Sequence, residues 1–566
     1  MPQVSGPPLA TNPFKTLFFS LLLLVASGCA ENASTTADSV VINANLLTLD
    51  SNNTIASAMA VKNGNIVYVG DDVGAKAFIG NTTQVLQAHG KTIIPGFNDA
   101  HAHPVAPLPG SIYIGQDEYA STKQVILALK ELAAKTPAGQ WVIGWGYDDI
   151  KLGGHPQRLQ LDSVSNQHPV LIIHASHHLA SANSLAYLGA GITAATLDPA
   201  GGSFARDSNG FPSGVCHEKM ACEQLYSQTY PKPDRGGVSG VQSTLNKRFQ
   251  AWYQLGITSI SDAHAPPELW FVYEVAAFND EPMRVNIMID DEYLLTAKFI
   301  RGLRNVLGSS NLKTQTIKLV HGNSLSGHTA WLNEPYANRP DYYGIPPARS
   351  QQELNQIVDE IHQAGFQLAI HSNGDREIEM VLTAIEQALA KHPRTDHRHR
   401  IEHASVVTNK ILNKVKRLGV VLALHSYVFE HGDKMKAYGK GRYSMMHANK
   451  SALEMGIPVA GNSDYPVSRP NPMVRLRSLT TRRGMNGEIY GESQKLTPLQ
   501  ALATYTRGGA YASFEEHLKG TLEVGKYADY VMLSDNPLLV EAERLTDIKV
   551  LRTVIGGNTV YQRKSP

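Results

Sequence analysis

Short apolar runs recur along the middle of the chain, and amphipathic stretches separate several of them. Eight runs have the composition of strands: TIIPGF, GITSISDA, MRVNIMID, TIKLVH, GFQLAIH, HRIEHA, GVVLALH and GIPVAGNSD. The intervening stretches SQQELNQIVDEIHQAG and REIEMVLTAIEQALAKH have the apolar spacing of helices. Strands that alternate with helices form parallel sheets, and eight such repeats predict a (β/α)8 barrel of the α/β class.

Two β-rich segments flank this middle part. Residues 39–95 and 516–566 contain short β-type runs, with Asn63-Gly64 and Gly556-Gly557 as signals for tight turns. Because both ends of the chain have the same character, they predict one small β-sandwich that is built from both termini.

The first and second barrel runs are separated by a segment far longer than the other gaps. It holds helix-like and strand-like runs of its own, such as KQVILALKELAAKT, QWVIGWGYDD and PVLIIHASHH. We therefore expect residues 96–515 to form the barrel domain, with an inserted subdomain at about 104–250 that lies over the barrel mouth.

The N-terminal segment has the features of an export signal. The run TLFFSLLLLVASGCA has an apolar core that is too short to span a bilayer. Its end, Ala26-Ser27-Gly28-Cys29, resembles a bacterial lipobox, with Ala26 where leucine is usual. We expect residues 1–28 to be a lipoprotein signal peptide, Cys29 to carry acyl chains, and residues 29–38 to be a polar tether. The protein would then be exported and anchored to a bacterial membrane, facing the periplasm or the exterior. Ordinary signal cleavage that releases a free enzyme is the alternative.

The net charge limits the expected partners, and the cysteines allow one disulfide. With 51 Lys and Arg against 50 Asp and Glu, the net charge of +1 gives no reason to expect nucleic acid or an acidic membrane surface. A small-molecule substrate is the expected partner, and the lipid anchor is the expected contact with a membrane. The oligomeric state is open, and a dimer is compatible with the sequence. Cys216 and Cys222 could form a disulfide in an exported protein, but their spacing does not decide it.

Residues that can bind metals or protons follow most of the barrel runs. His101 and His103 follow the first run, and side chains two residues apart on a strand point the same way. The later runs end near Asp262, Lys318, His321, His371, His403, His425 and Asp464. Barrel active sites lie at the carboxyl ends of the strands, and imidazole with carboxylate suits zinc and similar ions. Each residue alone is more often structural, but together they predict a metal centre.

Lys318 lies inside the apolar run TIKLV. A buried ammonium group without a partner is costly, so such a lysine usually loses its proton or pairs with an acid. Carbamylation by CO2 is another solution, because it turns the amine into an anionic ligand that can bridge two metal ions. An ordinary Lys–Asp pair remains the alternative.

The order of these residues resembles the pattern of the amidohydrolase superfamily. More narrowly, the chain looks like amidohydrolase family 3, which includes the N-substituted formamide deformylases. The motifs that carry the resemblance lie between about residues 40 and 562: GFNDAHAH, NSLAYLGAGI, GFPSGVCHEKM, AIHSNGDREIE, HRIEHASVV, GNSDYPV and GTLEVGKYADYVMLSDNP. The resemblance implies one or two divalent ions, with zinc expected, held by His101, His103, Lys318, His371, His403 and Asp464.

The same resemblance implies hydrolysis of a carbon–nitrogen bond other than a peptide bond. In this chemistry the divalent ion activates water and polarises the substrate carbonyl, while Asp464 moves the proton to the leaving nitrogen. His403 is expected to act in catalysis as well as in metal binding. An esterase or lactonase with the same site is one alternative, and a non-catalytic surface binding lipoprotein is another.

Candidate substrate-binding residues lie in the insert. His178 and Asn183 match a family pattern and are expected to reach the substrate. Trp145 and Tyr147, in the run WVIGWGY, could line an apolar pocket, with a place in the core of the insert as the alternative. Glu218, in a family-like loop, is a further candidate.

Overall fold

The centre of the molecule is a sheet of eight parallel strands, seen in a computed structural model that describes residues 36–106, 110–115, 118–226 and 236–564. We number these strands β1 (Phe97–Ala102), β2 (Ile257–Ala265), β3 (Arg284–Asp290), β4 (Leu312–Val320), β5 (Gln367–Ser372), β6 (Arg400–His403), β7 (Val421–His425) and β8 (Val459–Asn462). Just after β8, the Asp464 N–H donates to the His101 carbonyl at 2.9 Å, and the His103 N–H donates to the Tyr465 carbonyl at 2.8 Å. These bonds join the first and last strands, and the predicted (β/α)8 barrel is confirmed.

β1 begins later than the apolar run that predicted it. The residues Thr92–Pro95 form a separate strand, which pairs antiparallel with Tyr530–Leu533 in the terminal sandwich. β1 itself has the polar sequence FNDAHA, and all of its residues are buried. A Cβ atom at Gly96 would lie 2.1 Å from the Thr258 Oγ1 atom, so only glycine lets the chain pass this close to β2. The apolar run therefore marks the approach to the barrel rather than its first strand.

Helices cover the outside of the barrel. We number those that follow the strands α1 (Gly237–Tyr253), α2 (Glu268–Phe278), α3 (Leu294–Leu307), α4 (Gln351–Gln363), α5 (Asp375–Lys391), α6 (Asn409–Leu418), α7 (Asn449–Glu454) and α8 (Pro472–Thr481). α4 begins with a reciprocal cap, in which the Ser350 hydroxyl accepts from the Glu353 N–H and the Glu353 carboxylate accepts from the Ser350 N–H. The buried face of α5 includes Ile378 and Val381, which pack into the same apolar core as the strands. The barrel core therefore lies between the strands and this outer layer of helices.

Both ends of the chain build the predicted β-sandwich. One sheet has the order Asn558–Gln562, Val550–Ile555, Tyr530–Leu533, Thr92–Pro95, Asn45–Leu47 and Ile55–Ala56, and the other has the order Asn65–Gly70, Ala58–Lys62, Ser39–Ile42 and Gln84–Gln87. The sandwich is fixed to the barrel by Arg284 of β3, whose Nε and Nη2 atoms donate to the Asp529 carboxylate at 2.5 and 2.9 Å. This bidentate pair is buried, which makes it a rigid connection.

The insert after β1 is a sheet with helices, placed at the barrel mouth. Its strands have the order Ser203–Arg206, Pro212–His217, Leu179–Ala182, Val170–His174, Val142–Tyr147 and Ile112–Tyr113, with Thr122–Ala133 and Glu218–Tyr226 as its longer helices. A disulfide between Cys216 and Cys222 ties the second helix to the strand before it. Lys434, in the segment after β7, is fully buried between Asp148 and Asp149 of the insert, which docks the insert on the barrel.

The expectations for the N-terminus fall outside this description. Residues 1–28 and Cys29 are not among the described residues. Within the residues that are described, no helix is both long and apolar enough to cross a bilayer. The lipid anchor therefore stays a prediction.

Candidate metal centre

The carboxyl ends of the barrel strands bring the six predicted ligands together. The Nε2 atoms of His101 and His103 each lie 3.4 Å from the Asp464 Oδ1 atom, and the His403 Nδ1 atom lies 3.9 Å from the Oδ2 atom. The Lys318 Nζ atom lies 3.4 Å from the Nε2 atom of His101. The ring centroid of His371 is 4.6 Å from that of His403. Residues from β1, β4, β5 and β6, together with Asp464 just after β8, therefore surround one point.

Asp464 belongs to two groups of metal-competent side chains. It forms one with His101 and His103, and a second with His403 and His425, and within each group the donor atoms lie within 4.8 Å of one another. His425 ends β7 and was not in the ligand set that the family resemblance implied. A carboxylate with two oxygens can serve both groups, so the geometry is compatible with one ion or with two.

Unusual backbone conformations aim two of these side chains. His403 and Asp464 have φ angles of 72° and 53°, a left-handed region that residues other than glycine seldom occupy. The turn before Asp464 is fixed by Asp99 of β1, which accepts from the Ser463 N–H at 3.0 Å and from its hydroxyl at 2.5 Å. Such conformations persist where the surroundings enforce them, and they are concentrated at functional sites.

Glu402 is a member of the site that sequence reasoning missed. Its Oε2 atom contacts the Nδ1 atom of His101, which directs the opposite Nε2 atom towards Asp464. Arg400 donates to both oxygens of Glu402, at 2.5 and 2.9 Å. Burial alone would raise the pKa of Glu402, but Arg400 and His101 lower it to about 2. The signal was visible in HRIEHA, where two charged residues of an apolar run lie two apart and therefore on one face.

The protonation states fit a divalent cation. Burial lowers the pKa of His101 to about 4 and holds the pKa values of His371 and His403 well below the ordinary range, so these imidazoles offer free lone pairs. Burial would raise the pKa of Asp464, but His101 and the other histidines around it hold that pKa well below its usual value. Neutral imidazoles beside an ionised carboxylate are the donors that zinc prefers.

Lys318 lacks the acidic partner that a buried ammonium group needs. It is 3% exposed, and within the described residues no carboxylate oxygen lies within 4 Å of its Nζ atom. Burial lowers the pKa of Lys318, although Glu402 and Asp464 oppose this effect. A buried amine that has an imidazole but no carboxylate as its neighbour can be neutral, which is the form that reacts with CO2.

One predicted substrate-binding residue of the insert, His178, reaches the site, and a second, Glu218, contacts it. The ring of His178 stacks on that of His371 at a centroid distance of 4.8 Å. The Nδ1 atom of His178 lies 2.6 Å from the Glu218 Oε2 atom, and although burial opposes it, Glu218 raises the pKa of His178. His178 lines a cavity of about 380 Å³ together with His101, Lys318 and Asp464. A cavity of this size accommodates a small organic substrate.

Three other predicted residues make their contacts within the insert. The Asn183 side chain accepts from the Val170 and Ala186 N–H groups and donates to the His168 carbonyl. The Tyr147 hydroxyl bonds within the insert, where its side chain is fully buried in the core. Trp145 packs on Tyr113, with ring centroids 4.7 Å apart. Of the described residues that line the cavity with His101 and Asp464, none is Asn183, Tyr147 or Trp145, so these three side chains lie outside that cavity.

The sequence is similar to a known family profile and to curated proteins over most of its length. Residues 84–561 match the sequence profile of the Amidohydrolase family. The protein is 26% identical to the N-substituted formamide deformylase of Arthrobacter pascens over 544 residues, which is 93% of this chain and 98% of that protein. It is 28% identical to Protein LONG AFTER FAR-RED 3 of Arabidopsis thaliana over 548 residues, covering 94% and 92% of the two chains.

A solved structure shows the same fold. An uncharacterized metal-dependent hydrolase from Pyrococcus horikoshii OT3 superposes with a TM-score of 0.68 and 23% sequence identity, covering 89% of this chain and 99% of that one. The family profile spans the barrel from the approach to β1 through β8 and continues into the terminal sandwich. The chain therefore belongs to the amidohydrolase family.

Proposed function

We propose that this amidohydrolase cleaves an amide-type carbon–nitrogen bond, other than a peptide bond, in a small molecule, and that it uses one or two divalent ions, with zinc expected. The observation that carries the proposal is the Asp464 carboxylate, shared by two groups of imidazoles at the barrel mouth. The similarity to a formamide deformylase over 93% of the chain supports an amide rather than another acyl compound.

Each side chain of the site has a role in this reaction that follows from its position. The ligands His101, His103, Lys318, His371, His403 and Asp464 would hold the metal. A divalent ion in such a site polarises the scissile carbonyl and lowers the pKa of water, which is its part of the chemistry. Asp464 accepts the proton of the attacking water and delivers it to the leaving nitrogen. His403, whose Nδ1 atom lies 3.9 Å from the Asp464 carboxylate, would act in catalysis as well as in metal binding. His178, fixed by Glu218 above His371, is placed to hydrogen-bond the substrate carbonyl.

The proposal is tested by metal content and a paired substrate panel. Purified protein would be analysed for metals and assayed on formamides, N-acyl amines and cyclic amides, each matched with the corresponding ester or lactone. We expect bound zinc, hydrolysis of amides in preference to esters, loss of activity on chelation and recovery when zinc is returned. Full turnover by metal-free protein would refute the proposal, and turnover of esters alone would replace it with an esterase.

We further propose that Lys318 is carbamylated. Its neutral amine would attack CO2 and release one proton, which leaves a carbamate anion that offsets the charge of two metal ions. In protein prepared with 13C-bicarbonate and metal, we expect one carbamate resonance, and we expect it to be lost in Lys318→Ala together with activity. Lys434 is a natural comparison, because Asp148 and Asp149 raise its pKa against the effect of burial and keep it protonated. An active, metal-loaded enzyme with an unmodified Lys318 would contradict the proposal.

For the location of the protein we propose export and lipid anchoring at Cys29. The disulfide between Cys216 and Cys222 supports an oxidising compartment, where such bonds persist. In cells given an alkyne-labelled fatty acid, we expect the wild-type protein to be labelled and Cys29→Ser to be unlabelled. Cys29→Ser should also move from the membrane fraction to the soluble fraction. Equal labelling of the two proteins would show that the lipobox is not used.

A further inference from the structure

A second chamber lies beside the cavity that holds the metal ligands. Its volume is about 390 Å³, and the walls of the two spaces share five residues: His178, Lys219, Glu223, His264 and Val320. The walls of the second chamber come from the helix Glu218–Tyr226 of the insert and from the segments that follow β3 and β4. A substrate held near Asp464 could therefore extend past His264 into a space that the hydrolytic chemistry does not use.

The chamber wall carries an excess of negative charge. Among the described residues that line it, the carboxylates are Glu218, Glu223, Asp290, Asp291 and Glu292, and the permanent cations are Lys219 and Arg349. Counted over the carboxylates, lysine and arginine alone, five negative charges against two positive charges leave −3.

Both cations are already held by carboxylates. The Arg349 Nη2 atom donates to Asp291 at 2.9 Å, and the Lys219 Nζ atom lies 3.7 Å from Glu223 and 3.8 Å from Glu292. Glu218 and Asp290 contact the rings of His178 and His264, respectively, but within the described wall the carboxylates still outnumber the lysine and arginine side chains. A concave surface with an excess of one sign of charge attracts ligands of the other sign.

His321 adds an independent sign of a missing partner. Its side chain is 2% exposed and lines the chamber, and among the residues that the structure describes neither ring nitrogen has a hydrogen-bond partner. A neutral imidazole carries a lone pair on one ring nitrogen and an N–H group on the other, so this side chain can accept one hydrogen bond and donate one. Buried polar atoms are nearly always paired, and an N–H group of a ligand would satisfy this one.

His264 stands where the two spaces meet. It lies at an irregularity of β2 between Ala263 and Ala265, and its φ angle of 109° is strained for any residue except glycine. Its Nδ1 atom is 2.5 Å from the Asp290 Oδ1 atom, and 42% of its side chain is exposed. The strained backbone thus holds an accessible ring at the passage between the metal ligands and the acidic chamber.

We propose that this chamber binds an arm of the substrate that ends in a protonated nitrogen, so that the substrate is an N-acyl derivative of a diamine or of a similar doubly functional amine. The ammonium group would lie among the carboxylates and donate to His321, while the amide lies by Asp464. The identity of the arm rests on the proposed hydrolysis, but its binding can be measured without turnover.

The test compares two amides of nearly equal size. N-acetyl-1,5-diaminopentane carries the ammonium group, and N-acetylpentylamine lacks it. Binding to the zinc-loaded protein would be measured by calorimetry, and hydrolysis by amine release. We expect the cationic amide to bind at least about tenfold more tightly than the neutral one, with an advantage that falls as salt is added. The advantage should largely disappear in Glu223→Gln/Glu292→Gln, which leaves Lys219 without its partners.

Two further variants separate the chamber from general effects. His321→Leu should weaken binding of the cationic amide without lowering the melting temperature, because no hydrogen bond of the fold is removed. Glu268 lies at the exposed start of α2, at the same end of the barrel but outside the chamber. Glu268→Gln therefore removes one negative charge and should leave the binding of both amides unchanged. Equal binding of the two amides, no binding of either, or an unchanged preference in the double variant would overturn the proposal. Preferential binding without hydrolysis of any amide of the panel would retain the chamber and refute the amide hydrolase.

Discussion

His101→Ala is expected to give a folded protein that has lost most of its metal and its activity. Replacing only an outer partner of a metal ligand costs about 10- to 100-fold, so losing this ligand should lower kcat/KM by more than about 100-fold. His101 is the ligand that Glu402 orients, and its Nε2 atom lies 3.4 Å from both Asp464 and Lys318. The measurement is zinc content per chain alongside turnover, with circular dichroism to verify folding.

Three comparisons make this result specific. His103→Ala should also lose metal, and because its side chain is 28% exposed, this change removes little packing. Glu402→Gln should lose less metal and activity than His101→Ala, because the His101 ligand remains but is oriented less firmly. His397→Asn serves as control: His397 is a buried histidine before β6, at the other end of the barrel, and it contacts the Leu418 carbonyl. Full zinc and normal turnover in His101→Ala would mean that His101 is a structural residue.

The fold could be predicted because most of its strands are apolar runs with helices between them. β7, with the sequence VLALH, is fully buried and almost entirely apolar, so its composition identifies it. β1 is different, since FNDAHA is polar and yet fully buried. Its side chains are satisfied by partners distant in sequence, such as Ser463 for Asp99, and no local pattern reports those bonds.

The metal-ligand part of the site could be predicted because the carboxyl ends of all barrel strands meet at one mouth. His101 and Asp464 are far apart in sequence but meet because every barrel strand ends at the same mouth. Pattern could not show whether a polar or aromatic residue of the insert faces the cavity or its own core. Asn183 caps a helix and Tyr147 fills the insert core, whereas His178, four residues after the end of the insert strand Val170–His174, reaches His371. That distinction depends on how the insert docks, through contacts such as Lys434 with Asp148.

The carboxylate of Asp464 is placed to act as a base as well as a ligand. Its Oδ1 atom lies 3.4 Å from two imidazole nitrogens, and its Oδ2 atom lies 3.9 Å from the His403 Nδ1 atom. The surrounding histidines hold its pKa well below the usual value against the effect of burial, so it is ionised at neutral pH. An ionised carboxylate beside the metal can take a proton from water and return it to the leaving group.

Asp464→Asn is therefore expected to retain most of the metal and to lower kcat by about 10²- to 10⁴-fold, the usual scale for a general acid–base group. The amide keeps the size of the side chain and one oxygen for coordination, but it cannot accept a proton. A base works only when unprotonated, so the wild-type rate should fall as the pH drops through the pKa of Asp464. That acid limb should be absent from the residual activity of the variant, with zinc content measured at each pH to separate proton transfer from metal loss. If Asp464→Asn kept a near-normal rate and the same acid limb, the proton would move through another group. His425, which shares a metal-competent group with Asp464 and His403, would then be the residue to replace next.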